Sequence, residues 1–330
     1  MSKKDRNKKQ KQDNINRGTA YKKNTKNNSA SINIKRIKQN WELYLLILPV
    51  LLYFIIFHYW PMYGVQIAFK DFMASKGISG SPWVGFKYFE RFFKSYYFGR
   101  LIRNTLGINL YQLSVAFPIP IILALMMNEV KNNKFKRTVQ TVTYAPHFIS
   151  TVVLVGMVVS FLLPSTGIVN MFIKALGFQP ISFMTEPKWF KTIYVFSGIW
   201  QNMGWNSIIY MAALAGVAPE LHEAAIVDGA SRTQRIWHIN IPGILPTIII
   251  MFIMETGKIM NVGFEKAFLM QNDLNISSSD VISTFVYRSG ILGAQYSFST
   301  AVGLFNSVIN FIMLILVNSI SRRLSETSLW

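Results

Sequence analysis

WELYLLILPVLLYFIIFHY, Trp41 to Tyr59, is a run of nineteen residues with a single charge, Glu42, and no side-chain amide. At about 1.5 Å per residue such a run nearly crosses the ~30 Å hydrocarbon core of a bilayer as a helix. Lipid offers no partner for free backbone N–H and C=O groups, so a helix is the form the segment must take. Five further stretches have the same character: Leu101 to Met127, Val142 to Leu163, Thr192 to Ala215, Ile244 to Val262 and Thr300 to Ile320. The reading is an all-α, polytopic membrane helix bundle with six transmembrane helices.

The composition agrees, since 51% hydrophobic against 15% charged residues leaves too little polar surface for a soluble domain of 330 residues. A net charge of +19 could suggest a nucleic-acid partner. The basic residues, however, sit in a tail and in short loops between apolar runs, which is the pattern of membrane topology. There is no cysteine, and four scattered histidines lack metal-ligand spacing.

Thirteen of the 34 Lys and Arg lie in Met1 to Asn40, four in the loop Lys131 to Arg137, two at Arg232 and Arg235, and two at Arg322 and Arg323. Placing these segments inside leaves twelve outside and Lys258 within a span, so the positive-inside bias predicts both termini cytoplasmic in a multi-pass cell-membrane protein. Residues 1–40 carry two acidic side chains and little that could be buried, and are expected to be a disordered basic tail, solvated or drawn to anionic membrane lipid. A polar tail this long is unlike a cleavable signal, and the first span is expected to stay as an anchor.

Polar side chains inside spans are costly and tend to face the bundle interior. The second span carries Thr105, Asn109, Gln112 and Ala116 on one face, and the sixth carries Gly303, Asn306 and Asn310. Gln201, Trp205, Asn202 and Asn206 cluster in the fourth, next to Trp200. Glu255, Lys258 and Asn261 follow at steps of three in the fifth, where the two charges could neutralise one another. Any single amide is explained by helix-to-helix hydrogen bonding. Four stripes together favour a central hydrophilic path, and amides with aromatics suit a neutral polyhydroxylated ligand. Pro118, Pro120, Pro146 and Pro246 imply kinks or helix ends.

Between spans four and five lies VAPELHEAAIVDGASRTQRIWHINIP, Val217 to Pro242, residues 217–242. Pro219 suits a first helical turn, Glu220 and Glu223 suit its positive end, and Gly229 suits a left-handed stop. Ser231 with Gln234 forms a capping box for a second helix ending at Pro242. Such a hairpin either docks to a protein or rests on headgroups.

The segment closely resembles the EAA loop of binding-protein-dependent ABC importer permeases. Glu223-Ala224-Ala225, Gly229, Ile239 and Pro242 keep that pattern's spacing, with Asp228 before the glycine and Ile241 where leucine is usual. From about Ile37 to Leu324 the chain also looks like the sugar-permease group with maltose-type and LplB-type subunits and a MetI-like transmembrane domain. PMYGVQIAFKDF from Pro61, SPWVGFKYF from Ser81, APHFIS from Ala145, NVGFEKAFLM from Asn261 and YSFSTAVGLF from Tyr296 carry that likeness.

The resemblance implies a permease subunit that carries a sugar or oligosaccharide, with the hairpin as coupling helix. Glu223, Ala224, Ala225, Asp228, Gly229, Ile239 and Pro242 would then meet an ABC ATPase dimer. It also implies a second homologous permease subunit and an extracellular solute-binding protein on the loops Gly64 to Lys94 and Phe264 to Phe298. This chain lacks a GxxxxGK[ST] phosphate loop, so no cofactor is expected on it and ATP-Mg would bind the partner subunits. The path candidates are Gln112, Trp200, Asn202, Trp205, Asn206, Glu255, Lys258, Asn306 and Asn310. Two other readings stay open: an ion-coupled secondary transporter using Glu255 and Lys258, and a non-transporting scaffold or sensor. No nucleophile, base and orienting group occur at recognisable spacing, so an enzyme is not expected.

Overall fold

The computed structural model describes residues 39–325 and 328–329. The expectation of disorder for Met1 to Asn40 therefore falls, except for its last two residues, outside the described residues. Among those described the chain is helical, with one isolated antiparallel bridge, Lys70 to Trp83, and no strand. Contacts divide it after Gly64 into two compact units.

The first unit holds α1 (Trp41–Phe54) and the π-turn Ile55–Tyr59. The second unit, from Val65, has as its first long helix α2 (Tyr97–Glu129), which is continuous although Pro118 and Pro120 lie in it. The third apolar stretch is not one helix. α3 (Asn133–Tyr144), a 3-10 turn over Ala145–Phe148 and α4 (Thr151–Phe161) together bend by 103°. Pro146 blocks the α ladder, Ile149 and Ser150 are extended, and the Ser150 hydroxyl accepts from the Val153 N–H to restart the helix.

α5 (Pro187–Ala215) runs 29 residues and leads into α6 (Pro219–Val227). α7 (Arg232–Thr256) is again continuous, so the hairpin's second arm does not end at Pro242 but runs straight on as the fifth apolar helix. A π-turn, Ile236–Asn240, precedes that proline, and the Ile241 N–H reaches back five residues to the Ile236 carbonyl, so the chain passes Pro242 without breaking. At its other end α7 stops at Thr256, before Lys258, with Gly257 as its cap. α8 (Phe264–Met270), α9 (Ile282–Tyr287) and α10 (Tyr296–Ser325) complete the order.

Four helical runs are long and apolar enough to cross a membrane: Trp41–Phe69, α2, α7 and Tyr296–Arg323. The bent pair makes a fifth if it counts as one. α5 is about 44 Å long at the helical rise, but Gln201, Asn202 and Asn206 interrupt its apolar character.

Three apolar clusters hold the second unit. Phe92, Leu101, Phe285 and Phe298 join the short helix Lys87–Phe93 to α2, α9 and α10. Ile108, Val155, Tyr194 and Met270 join α2, α4, α5 and α8. Leu125, Tyr210, Leu214 and Ile244 join the far ends of α2, α5 and α7. At the first cluster Asp280, fully buried, takes Arg100 at 3.0 Å and Arg288 at 2.8 Å on one oxygen and the Thr284 hydroxyl on the other. Beside it the Tyr88 hydroxyl donates to Asp71 at 2.6 Å. That bond holds the Asp71 carboxyl below its usual range, while burial first and the same bond second push the Tyr88 phenol up.

Candidate functional site

α2, α5 and α7 enclose a cavity of about 590 Å³. α5 supplies Tyr194, Gly198, Asn202, Asn206 and Tyr210, every fourth residue over sixteen, so that one winding stripe faces the space. α2 adds Asn109, Gln112 and Ala116, and the far end of α7 adds Met251 and Glu255. Lys258, Asn261, Glu265 and Lys266 close it from the segment that follows.

Five of the sequence-predicted path residues thus come together here: Gln112, Asn202, Asn206, Glu255 and Lys258. Four lie outside the lining. Trp200 and Trp205 sit on other faces of α5, and Trp205 stacks on His147 at 4.4 Å with the rings 4° apart. Asn310 accepts the Met260 N–H at 2.9 Å and so ties α10 to the segment after α7, while the Asn306 carbonyl oxygen is buried with no partner among the described residues. The aromatic lining comes instead from Tyr194, Tyr210, Phe117 and Phe264. Continuing the four-residue step from Asn202 and Asn206 in both directions would have found the two tyrosines. Lys266 and Glu265 had no such signal, because only the fold brings α8 to α5. Glu255 and Lys258 both line the cavity, yet no ion pair within 4.0 Å joins them. The helix end at Gly257 separates them.

The break in the third apolar stretch grips this path. His147, in the 3-10 turn, meets the Asn202 side-chain oxygen at 2.9 Å, and the Asn202 amide donates to the Gly198 carbonyl at 3.1 Å. With the amide nitrogen so committed, His147 Nδ1 carries the proton. Gln201 donates to the Ile149 carbonyl at 2.9 Å, and Gly204 packs so closely that a Cβ would overlap the Thr143 carbonyl.

At the other end of α5 stands the hairpin. α6 begins with Pro219 in its first turn and ends in a Schellman stop: Ala230 N–H donates to the Ala225 carbonyl, Gly229 N–H to that of Ile226, and Gly229 has φ +80°. Ser231 and Gln234 form the capping box. Glu223, Ala224, Asp228, Gly229 and Pro242 are exposed, Ala225 and Ile239 are half-buried, and the apolar Val227 is 87% exposed. The hairpin is fastened at its base, where Arg235 meets Glu129 of α2 at 3.8 Å and Ile236 packs on the third cluster.

A stack of long apolar helices around an amide-lined cavity defines a polytopic α-helical permease. The chain belongs to the family described as binding-protein-dependent transport system inner membrane component, whose model matches residues 116–326. It is therefore a multi-pass inner-membrane transport subunit and not an enzyme, and permeases of this family carry no cofactor. Over 294 residues it is 46% identical to Protein LplB of Bacillus subtilis, covering 89% of this chain and 92% of LplB. The polygalacturonan/rhamnogalacturonan transport system permease protein YteP of Bacillus subtilis is 40% identical, with 90% and 92% covered. Among solved structures, a bacterial alginate ABC transporter in complex with an alginate pentasaccharide-bound periplasmic protein matches with TM-score 0.83 and 43% identity, covering 89% of this chain and 99% of that one.

Proposed function

We propose that this chain is a membrane-spanning subunit of an ATP-driven importer of a carbohydrate, most simply an oligosaccharide, and that the Pro219–Asn240 hairpin is where it is driven. One observation carries the reading: α5 runs into the hairpin, α7 runs out of it, and both form walls of the cavity. Displacing the hairpin therefore moves two walls at once. Glu223, Ala224, Ala225, Asp228 and Gly229 present the docking face, with Ile239 and Pro242 at its root. An ABC ATPase dimer binding ATP-Mg would supply the force, a second permease subunit would complete the path, and an external binding protein would deliver the sugar. α5 and the bent pair count with the four apolar runs as six spans, and both termini are cytoplasmic. The amide and tyrosine lining offers hydrogen bonds to hydroxyls and flat faces to sugar rings.

Gly229→Val tests the coupling. Open space surrounds Gly229, so the substitution meets no clash, but a β-branched residue at φ +80° costs about 1–2 kcal/mol and moves the stop. Membrane insertion of the complex is expected to persist while sugar-stimulated ATP hydrolysis falls to the unstimulated rate. Full stimulation in that variant would end the coupling assignment. Uptake that survives ATP depletion but stops with an uncoupler would overturn the ATP-driven reading.

A further inference from the structure

Beyond Tyr194, where the cavity lining of α5 ends in that direction, the helix carries a further cation. One turn earlier Lys191, half-buried, places its ammonium where a Cβ on Gly107 of α2 would lie, and Arg103, one turn back along α2, is within electrostatic reach of it. From α8 Lys266 donates to the Tyr194 carbonyl at 2.7 Å and stands 4.6 Å over the Tyr194 ring. None of these three cations has a carboxylate within 4.0 Å among the described residues. Glu265, which lines the cavity beside Lys266, pairs with none of them. A few residues away the contrast is plain: Arg100 and Arg288 both close on Asp280.

Taking an ammonium partly out of water without a counter-charge is costly, and along a transport path such groups are retained for what passes them. We propose that Lys191, Lys266 and Arg103 form a collar that reads carboxylates, and that the cargo is an anionic oligosaccharide of uronic-acid type. This rests on the carbohydrate-import reading and names its substrate class. The amide stripe, which alone suits a neutral ligand, then serves the hydroxyls of the same sugar deeper in the cavity. Arg103 is exposed and draws the charged chain in, while the half-buried Lys191 and the cavity-lining Lys266 meet it next.

The test uses the complete importer in proteoliposomes, with tetragalacturonate and tetramannuronate as probes, each beside its carboxyl-reduced counterpart of equal length. ATP-driven uptake is expected to favour the acidic member of each pair. Lys266→Met and Lys191→Met should each lower the acid-to-neutral uptake ratio about tenfold, the size of one lost charge-assisted hydrogen bond, and the Lys→Arg variants should restore it. Should Lys266→Met fail to insert, Lys191→Met and Arg103→Gln carry the same measurement. Equal uptake of both members, or an unchanged ratio in the inserted variants, overturns the collar while leaving carbohydrate import intact. If ATP is hydrolysed and none of the four sugars enters, the carbohydrate reading falls and the collar falls with it.

Discussion

The second and third apolar stretches both contain proline in mid-course, yet α2 stays continuous and the α3–α4 pair bends by 103°. The difference lies in the turn that precedes the ring. In α2 a π-turn, Gln112–Ala116, comes two residues before Pro118, and the Phe117 N–H reaches back to the Gln112 carbonyl at 3.1 Å. The wider turn moves aside the carbonyl that the pyrrolidine ring would strike. The same arrangement recurs where Tyr59 ends a π-turn before Pro61 and where Asn240 ends one before Pro242. Before Pro146 the chain tightens to 3-10 instead, and two extended residues follow. At these four sites the neighbouring turn goes with the outcome, while Pro49 and Pro246 pass within regular α-helix. Here the absorbed prolines keep wall helices straight, and the unabsorbed one makes the elbow that presents His147 to Asn202.

If the elbow is a built contact rather than slack, filling it should be the most damaging change. Gly204→Val would drive its side chain into the Thr143 carbonyl, a backbone atom that cannot rotate away. Loss of stable insertion is expected, with destabilisation of about 3 kcal/mol or more, read as a collapse of detergent-solubilised yield and of the thermal unfolding midpoint. A well-folded Gly204→Val protein would mean that α3 is free to slide along α5. A gentler change, His147→Leu, removes only the hydrogen bond and the ring stack, leaving the Asn202 oxygen without its donor at a cost of about 1–3 kcal/mol. Insertion should survive and uptake should drop, with His147→Gln recovering part of it through a replacement amide donor.

Helix type and the hairpin were the legible parts of the sequence, because both are written in local rules. The apolar runs state their own environment, and Pro219, Gly229 and the Ser231–Gln234 box fix their turns from neighbours within six residues. The cavity was half legible. Gln112, Asn202 and Asn206 repeat at helical spacing, so a face could be read, but Trp200 and Trp205 share their neighbourhood without sharing their face. The facing side of a helix is set by partners far along the chain. Lys266 illustrates the limit, since its contact with Tyr194 spans 72 residues and leaves no periodic trace. Apolar edges mark a span in sequence, whereas helices end where caps and turns allow: α7 starts at Arg232 rather than Ile244, and stops at Thr256 rather than Val262.

The smallest expected effect is also the most discriminating. Pro118→Ala restores a backbone N–H and removes the ring that the π-turn accommodates. If the π-turn exists only to pass the proline, α2 should relax to regular α geometry, and one residue of register is then lost across Gln112–Ala116. That shift rotates Asn109 and Gln112 by about 100° against the far half of α2, since a helix turns 3.6 residues per revolution. Stability should change by less than about 1 kcal/mol, because a better helix former offsets the lost fit. Uptake should nonetheless fall, because Gln112 leaves the cavity that it now lines. A cysteine placed at position 112 would report the rotation directly: labelled from the aqueous path when Pro118 is present, and protected when it is alanine. Equal labelling in both backgrounds would show that the π-turn is held by packing against α5, and that proline follows the turn rather than causing it.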